Sequence, residues 1–180
     1  MNASEARGVL AILATEYPEA YKNVDVNAKV GLWAVMFADD SAEDVVMGVR
    51  AYMATDVKGF APKVGQIKAE IVKVKTSGAP AASDVWNHIR KAISNSGYHS
   101  VEEFEALSPV EQRIVGSPRQ LYDWGQMDVD TLDSVVASNV QRAYRTMLED
   151  EKYRMALPPS VSSRITQLAE STFRRLTDGK

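Results

Sequence analysis

Apolar residues recur at helical spacing along almost the whole chain. The first stripe precedes Pro18 and consists of Ala6, Val9, Leu10, Leu13 and Tyr17. Further stripes are formed by Val26, Val30, Trp33 and Phe37, and then by Val45, Val49 and Tyr52. Spacings of three and four residues place such side chains on one face of a helix. Since no two-residue alternation bounded by hairpin turns is found, the pattern predicts an all-α fold.

Capping residues and prolines predict where these helices begin. Asp25 and Ser41 are expected to cap the second and third helices, because their side-chain oxygens can accept hydrogen bonds from free backbone N–H groups. Pro62 is expected at the first position of the fourth helix. In the second half, Ser83 is predicted to cap the fifth helix, and Ser100 with Glu103 to form a capping box. The segments after Pro109 and Pro118 are each predicted to form a short helix that stops at a glycine.

The order of these elements predicts two domains and a tail. Four helices joined by short loops favour a bundle-like N-terminal domain over residues 1–75. Residues 76–83 contain Gly78 and Pro80 and no large apolar side chain, which is typical of a linker. A second helical domain is predicted over residues 84–157, organised by a long helix from about Asp130 to Tyr153. Because two consecutive prolines break a helix, residues 158–180 are predicted to be a tethered helical tail.

Composition and charge argue against several classes of function. The chain has 180 residues, of which 45% are hydrophobic, and it has no cysteine, which excludes disulfides and thiolate metal sites. The apolar run 9–14 is too short for a signal segment or a membrane span, so we expect a cytoplasmic protein without membrane association. The net charge is −3. Residues 81–140 are acidic and residues 141–180 are mildly basic, a balance that argues against strong direct binding of nucleic acid.

No catalytic constellation is visible in the sequence. A phosphate loop needs a lysine directly after its last glycine, and the only Gly-Lys pair is 179–180. His88 and His99 have no acidic residue at ligand spacing, and the cluster Asp128-Asp130-Asp133 lacks the glycine and glutamate of an EF-hand loop. We therefore predict no catalytic residue, cofactor or metal, and a protein that is not an enzyme. The three tryptophans, Trp33, Trp86 and Trp124, are expected in the core.

One stretch of the chain is specific enough to indicate a family. Its marker residues, interpreted here mostly as packing positions, are Tyr17-Pro18, Val30, Trp33, Phe37, Val45, Tyr52, Phe60, Pro62, Val64 and Ile67. With these residues, about the first 75 positions resemble the phage replicative helicase loader/inhibitor family. Segments further on are similar to the second half of longer members: 86–93, 107–109, 115–116 and 141–144.

The resemblance implies a function without an ATPase. A member of this family would bind a DnaB-type hexameric helicase in the bacterial host cell, inhibit it and load it at the origin, with an origin-binding phage protein as a further partner. The resemblance also implies that the C-terminal part engages the helicase. The interface residues expected there are Tyr144, Arg145, Tyr153, Val161, Arg164, Ile165, Leu168, Phe173, Arg174 and Arg175.

Two alternatives stay open at this point. The tail helix, with a further apolar position at Leu176, could pack on the second domain instead of binding a partner. The chain could also be a DNA-binding or adaptor protein of phage replication or packaging that contacts nucleic acid through Arg142, Arg145, Lys152 and Arg154. A phosphate-binding protein would lose affinity steeply as salt rises, which separates this alternative from an apolar helicase contact.

Overall fold

The computed structural model describes residues 1–178, with side chains up to Arg175. Over this range it contains helices and connecting loops but no strand, which confirms the predicted all-α fold. The helices are α1 (Ala3–Glu16), α2 (Pro18–Tyr21), α3 (Val26–Met36), α4 (Ala42–Thr55), α5 (Val64–Lys75), α6 (Ala82–Ala106), α7 (Pro109–Val115), α8 (Pro118–Gly125), α9 (Val129–Thr131), α10 (Ala137–Ala156) and α11 (Pro159–Asp178). A π-helical turn (Leu132–Val136) lies between α9 and α10.

The chain divides into two compact units. The first consists of Met1–Ser77 and Lys152–Lys180, and the second of Gly78–Glu151. The first unit therefore contains α1 to α5 together with the end of α10 and α11. The second contains α6 to α9, the π-helical turn and most of α10.

Trp33 and Phe37 form the centre of the first unit. Their rings lie 5.2 Å apart between centroids and are fully enclosed by the apolar faces of α1, α4 and α5. The helix packing is closest at Gly48, where a Cβ atom would lie 2.7 Å from Ile71 Cγ1 and 3.2 Å from Ile67 O. Glycine at this position lets α4 and α5 approach each other. The expected core positions of the first three stripes are buried, apart from Val26, which is exposed, and Tyr52, which is partly buried.

A buried ion pair attaches the loop between α3 and α4 to helix α5. The Lys68 ammonium is paired with the Asp40 carboxylate, and both side chains are almost fully enclosed. At the edge of this pair, Lys75 Nζ lies 2.8 Å from Asp44 Oδ2. That hydrogen bond lowers the pKa of Asp44 and raises the pKa of Lys75, in both cases against the effect of burial. A buried pair of this kind is strongly destabilising when one partner is removed.

The core of the second unit is formed by α6, α7, α8, the π-helical turn and α10. Trp86 is buried in it, as Trp33 is in the first unit, which confirms the expectation for these two tryptophans, whereas Trp124 is only partly buried against the core. The Ser96 hydroxyl donates to Ile93 O at 2.8 Å, which satisfies a polar group inside this core. A Cβ atom at Gly125 would lie 3.0 Å from Ser96 Oγ, so α8 approaches α6 closely at this glycine.

Several predicted helix boundaries are confirmed. Asp25 caps α3 by accepting from the N–H groups of Asn27 and Ala28, and Ser41 caps α4 by accepting from Asp44 N. The helices predicted after Pro109 and Pro118 are α7 and α8. Gly116, at the end of α7, has φ +87°, a conformation that glycine adopts without strain.

Other predicted boundaries were wrong. Pro62 precedes α5 and is not its first residue, because Lys63 is the N-cap. Ser83 lies inside the first turn of α6, whose N-cap is Ala81. The helix predicted to start at Ser100 is present, by contrast, because the non-helical backbone of His99 (φ −128°, ψ 32°) divides α6 into two helical segments. The long helix predicted from Asp130 is preceded by the π-helical turn, which the apolar spacing did not indicate.

Candidate partner-binding surfaces

Two prolines define where the C-terminal helix begins. Pro158 ends the preceding helix and is buried, while its carbonyl oxygen accepts from Val161 N at 3.0 Å and from Ser162 N at 2.9 Å. Pro159 then occupies the first turn of α11, where its missing N–H would have had no intrahelical partner. The two prolines therefore define the start of α11 to within one residue, and the buried Pro158 anchors that start.

Three apolar side chains form a stripe on α11, called here the tail surface. Val161, Ile165 and Leu168 follow one another at spacings of four and three residues and therefore share one face of the helix. Each of them is between 41% and 50% exposed. Phe173 is also exposed, but it lies about 140° around the helix axis from Leu168 at 3.6 residues per turn. The structure thus brings together three of the four predicted apolar anchors.

Arginines accompany the tail surface. Arg164 is three residues after Val161 and four before Leu168, so it borders the stripe directly. Its guanidinium lies 3.5 Å from Gln167 Oε1, an exposed contact at the limit of hydrogen bonding. Arg174 and Arg175 are exposed at the end of the helix. The result is an apolar stripe with positive charge at its margin.

A different face of α11 is turned toward the rest of the first unit. A cavity of about 460 Å³ is lined on one side by Asp40, Lys68 and Lys75 and on the other by Ser162, Ser163 and Thr166. Ile71, Val72, Met155 and Leu157 are among the other residues that line it. Small hydroxyl residues of α11 thus line the same cavity as charged side chains of α5, while the tail surface lies elsewhere on the helix and stays half-exposed. The side chain of Leu176, the remaining apolar position predicted for this helix, lies outside the described residues.

The other predicted interface residues differ in exposure. Tyr144 is buried in the core of the second unit, and its hydroxyl donates to Pro80 O at 2.8 Å, so its expected role as an exposed anchor is replaced by a packing role. Arg145 is exposed and lies beside Gln141 on the same helix. Tyr153 is exposed and belongs to the first unit. The predicted set is therefore divided between the two units.

The residues proposed for nucleic-acid contact are divided in the same way. Arg142 and Arg145 belong to the second unit, and Lys152 and Arg154 to the first. Arg154 lines the cavity beside α11. Neither unit by itself gathers these four cations into one basic surface.

The loop between α4 and α5, residues 56–63, exposes a surface that the sequence interpretation missed. Val57 is 94% exposed and Phe60 is 71% exposed. The marker residues of this stretch were interpreted mostly as packing positions, and Phe60 is an exception, whereas Pro62 and Ile67 from the same motif are buried. The sequence signal for an exposed turn was Lys58-Gly59, and Gly59 indeed has φ +70°.

Asp56 holds this loop in place. Its carboxylate accepts from Lys58 N at 2.9 Å and from the Tyr17 hydroxyl at 2.9 Å. The hydrogen bond from Lys58 N is the main cause that lowers the pKa of Asp56, and it outweighs desolvation, with Tyr17 and the backbone of Gly59 and Phe60 acting in the same direction. Burial, with the Asp56 hydrogen bond, raises the pKa of Tyr17 to about 12.

Tyr52 and Gln66 hold the other end of the loop. The Tyr52 hydroxyl donates to Phe60 O at 3.2 Å, and Gln66 Nε2 donates to the Tyr52 hydroxyl at 3.4 Å. Gln66 Oε1 also accepts from Lys63 N at 2.9 Å, the residue that caps α5. The loop is therefore fixed to both flanking helices by side-chain hydrogen bonds.

Three further polar side chains, His88, Glu111 and Asp128, have structural partners. His88 Nδ1 lies 2.8 Å from Glu111 Oε1, and Ser108 also donates to this carboxylate. Burial would raise the pKa of Glu111, but the hydrogen bonds from Ser108 and His88 outweigh it and lower the pKa. Asp128 caps α9 by accepting from Thr131 N. In the part of the chain that the structure describes, His, Cys, Asp and Glu side chains form no group of three that could hold a metal ion.

A membrane-spanning segment was also sought. Among residues 1–178, no helix combines the length and the apolar character needed to cross a bilayer.

A comparison with known protein families gives a match over the first helices of the chain. Residues 1–68 match the family model for the N-terminal domain of the phage gene 39 protein. This confirms, over that range, the resemblance to the phage helicase loader/inhibitor family, whose members associate with a replicative helicase and are not enzymes themselves. No curated protein and no solved structure matches the chain. The match contains α1 to α4, the whole α4–α5 loop and the start of α5, and it ends before the tail surface.

Proposed function

We propose that this chain is a phage replication protein that binds a DnaB-type hexameric helicase in the cytoplasm of the host cell, inhibits it and loads it at the origin. The observation that carries the proposal is the family match over residues 1–68. Those residues supply the whole buried core around Trp33 except Ile71. An origin-binding phage protein is the proposed partner that releases the helicase.

A loader without an energy source acts by shifting a population. It can change the opening or the nucleotide turnover of a ring only by binding one state of the ring more tightly than another. Several copies on one hexamer multiply a small preference. A difference of about 0.5 kcal/mol at each of six equivalent sites would total about 3 kcal/mol, which is roughly a hundredfold change in the equilibrium.

The tail surface is the proposed contact with the helicase. Val161, Ile165 and Leu168 have the i, i+4, i+7 spacing of a helix that lies in an apolar groove. Their partial exposure leaves apolar area that a partner can remove from water, at about 25 cal/mol per Å². Arg164 borders the stripe and would pair with carboxylates at the rim of such a groove.

The direct test mixes the full-length protein with a purified DnaB-type hexamer. Light scattering would give the mass of the complex, and a coupled assay the ATPase rate of the helicase. We expect a heavier complex with a lower ATPase rate, and we expect this protein to promote loading of the ring onto single-stranded DNA. A hexamer whose mass is unchanged at micromolar protein would contradict the proposal.

The contact is tested with charge substitutions on α11. I165D/L168D places two carboxylates in the apolar stripe and should weaken helicase binding at least about tenfold, or 1.4 kcal/mol. The matched control is Y98D/V101D, which changes two exposed apolar residues of the second unit and should leave the affinity unchanged. Equal loss in both variants, or none in either, would remove the tail surface from the proposal.

Salt dependence separates helicase binding from nucleic-acid binding. Apolar contacts should change little in affinity as salt rises, whereas phosphate contacts weaken in proportion to the number of counterions released. Binding to the isolated hexamer should therefore persist at high salt in the absence of DNA. A complex that forms only with DNA and disappears with salt would favour a DNA-binding adaptor instead.

A further inference from the structure

The α4–α5 loop exposes two large apolar side chains within the range that matches the family model. Little of Val57 or Phe60 is covered by the rest of the first unit. A contiguous exposed apolar surface marks an interaction site, and a partner gains most from it when the backbone beneath is already ordered. The question is therefore whether this loop is fixed.

Hydrogen bonds fix the loop with both side chains pointing outward. Asp56 binds the backbone at Lys58 and is itself held by the Tyr17 hydroxyl, at the end of α1. Tyr52 holds the carbonyl of Phe60 from α4. Because these contacts are made within the protein itself, a partner would not have to order the loop on binding, which removes part of the entropic cost of association.

Beside Phe60 lies an open groove with a defined chemistry. Its volume is about 590 Å³, and its apolar part is formed by Phe60, Ala61 and Ala20. Lys58 and Lys63 also line it, with Tyr52 and Gln66, and no carboxylate does. The carboxylate of Asp56, in the same loop, is already used by the loop backbone. The groove thus offers one apolar site together with two ammonium groups.

We propose that this groove is a docking site for an acidic peptide segment of a partner protein. One large apolar side chain of the segment would lie against Phe60 and Ala61, and carboxylates on both sides of it would pair with Lys58 and Lys63. This contact is separate from the tail surface and does not depend on the identity of the helicase. It is a second binding surface, located in the part of the chain that matches the family model.

A single strand of nucleic acid fits the groove less well. Strand-binding surfaces carry several aromatic side chains on which successive bases stack, along a continuous basic track. Phe60 is the exposed aromatic ring of this loop, and Lys22, two residues after Ala20, lies 3.7 Å from Glu19. The charge of the site suffices for two carboxylates but not for a run of phosphates.

The test selects peptides from a random phage-displayed library on the full-length protein. We expect the enriched peptides to combine a large apolar residue with flanking Asp or Glu. Synthetic copies should lose at least about tenfold in affinity with F60S and with K58E/K63E. F60L and K58R/K63R retain the chemistry of the groove and should keep most of the affinity.

Matched controls exclude a general effect of surface change. Y98S removes an aromatic ring that is even more exposed than Phe60, and K91E reverses an exposed charge, both in the second unit. These variants, and I165D/L168D, should bind the selected peptides normally, and circular dichroism should show unchanged helicity in all of them. Since Phe60 is largely exposed, F60S is expected to fold.

Three outcomes would overturn the proposal. The first is a selection that enriches no peptide family, or only families without acidic residues. The second is enriched peptides whose affinity is the same for F60S and K58E/K63E as for the natural sequence. The third is binding of oligo(dT) that depends on Phe60 while the peptides bind independently of it, which would make the groove a nucleic-acid site. Loss of helicase binding in I165D/L168D with intact peptide binding would leave this proposal untouched.

Discussion

The α4–α5 loop and the tail surface both expose apolar side chains, but they are held in different ways. The loop is fixed by side-chain hydrogen bonds from both flanking helices and by the contact between Tyr17 and Asp56, which are 39 residues apart in the sequence. The tail surface depends on the regular geometry of α11 and on the anchored Pro158 at its start. The loop is a rigid point of contact, whereas the tail offers a longer, more adaptable face.

From this difference we expect the two surfaces to have separate roles in binding. A preorganised loop favours recognition of a short segment, because the loop loses little freedom on binding. A helix that presents a stripe of Val161, Ile165 and Leu168 can bury more area but must find a groove of matching length. Substitutions in the two regions should therefore have separable effects.

The largest effect is expected from removing the tail. Deletion of residues 158–180 takes away the whole tail surface, and we expect helicase affinity to fall at least about a hundredfold. The core around Trp33 should stay folded, since of its buried residues Ile71 alone lines the cavity beside α11. Tryptophan fluorescence and thermal unfolding would check the fold, and light scattering the complex.

A conservative variant provides the control for the tail deletion. I165L/L168I exchanges the two side chains, keeps the apolar stripe and should bind the helicase almost as well as the natural sequence. Undiminished helicase binding by the truncated protein would place the contact elsewhere. Unfolding of the first unit on truncation would show instead that α11 has a packing role.

The sequence predicts those features of the two regions that depend on local spacing. It does not predict those that depend on contacts between residues far apart in the chain. The stripe on α11 follows from spacing alone, and so do the core positions of Trp33 and Phe37. The direction of Phe60 could not be predicted, because it depends on a hydrogen bond between Asp56 and the distant Tyr17. Similarly, Tyr144 resembled an interface residue in the sequence, but its hydroxyl has a partner at Pro80, 64 residues earlier.

The second prediction removes the carboxylate that holds the loop. D56A eliminates the acceptor of the Lys58 N–H and of the Tyr17 hydroxyl, so Phe60 should no longer be held outward. We expect affinity for the selected acidic peptides to fall about tenfold, although Asp56 itself does not line the groove. Helicase binding should be unchanged. Amide hydrogen exchange at residues 57–61 would show whether the loop has loosened, and unchanged exchange with lost affinity would assign Asp56 a direct contact.

The third prediction compares two glycine-to-alanine substitutions that should change the stability of the protein in opposite directions. Gly59 has φ +70°, where an alanine is strained by about 1.5 kcal/mol, so G59A should destabilise the protein and weaken peptide binding. Gly31 lies inside α3 with open space around its Cα, so G31A should stabilise the protein by about 0.5–1 kcal/mol. Urea unfolding would measure both. A neutral G59A would mean that the loop adopts another conformation in solution.

The smallest effect is expected from the Tyr17 hydroxyl, and it should depend on pH. Because the pKa of Tyr17 is raised to about 12 in the folded protein, chiefly by burial, this group contributes stability fully below its ordinary pKa of 10.0 and loses it as pH rises toward 12. Y17F cannot ionise. The difference in unfolding free energy between the natural protein and Y17F should thus be constant from about pH 7 to 9 and shrink at about pH 11. Urea unfolding at each pH would measure this difference. Lys75, whose pKa is also raised in the folded protein, contributes to the pH dependence as well, but its contribution cancels because both proteins contain it. A difference that stays constant up to pH 11 would show that Tyr17 is not buried against Asp56, and the loop would then lose its attachment to the end of α1.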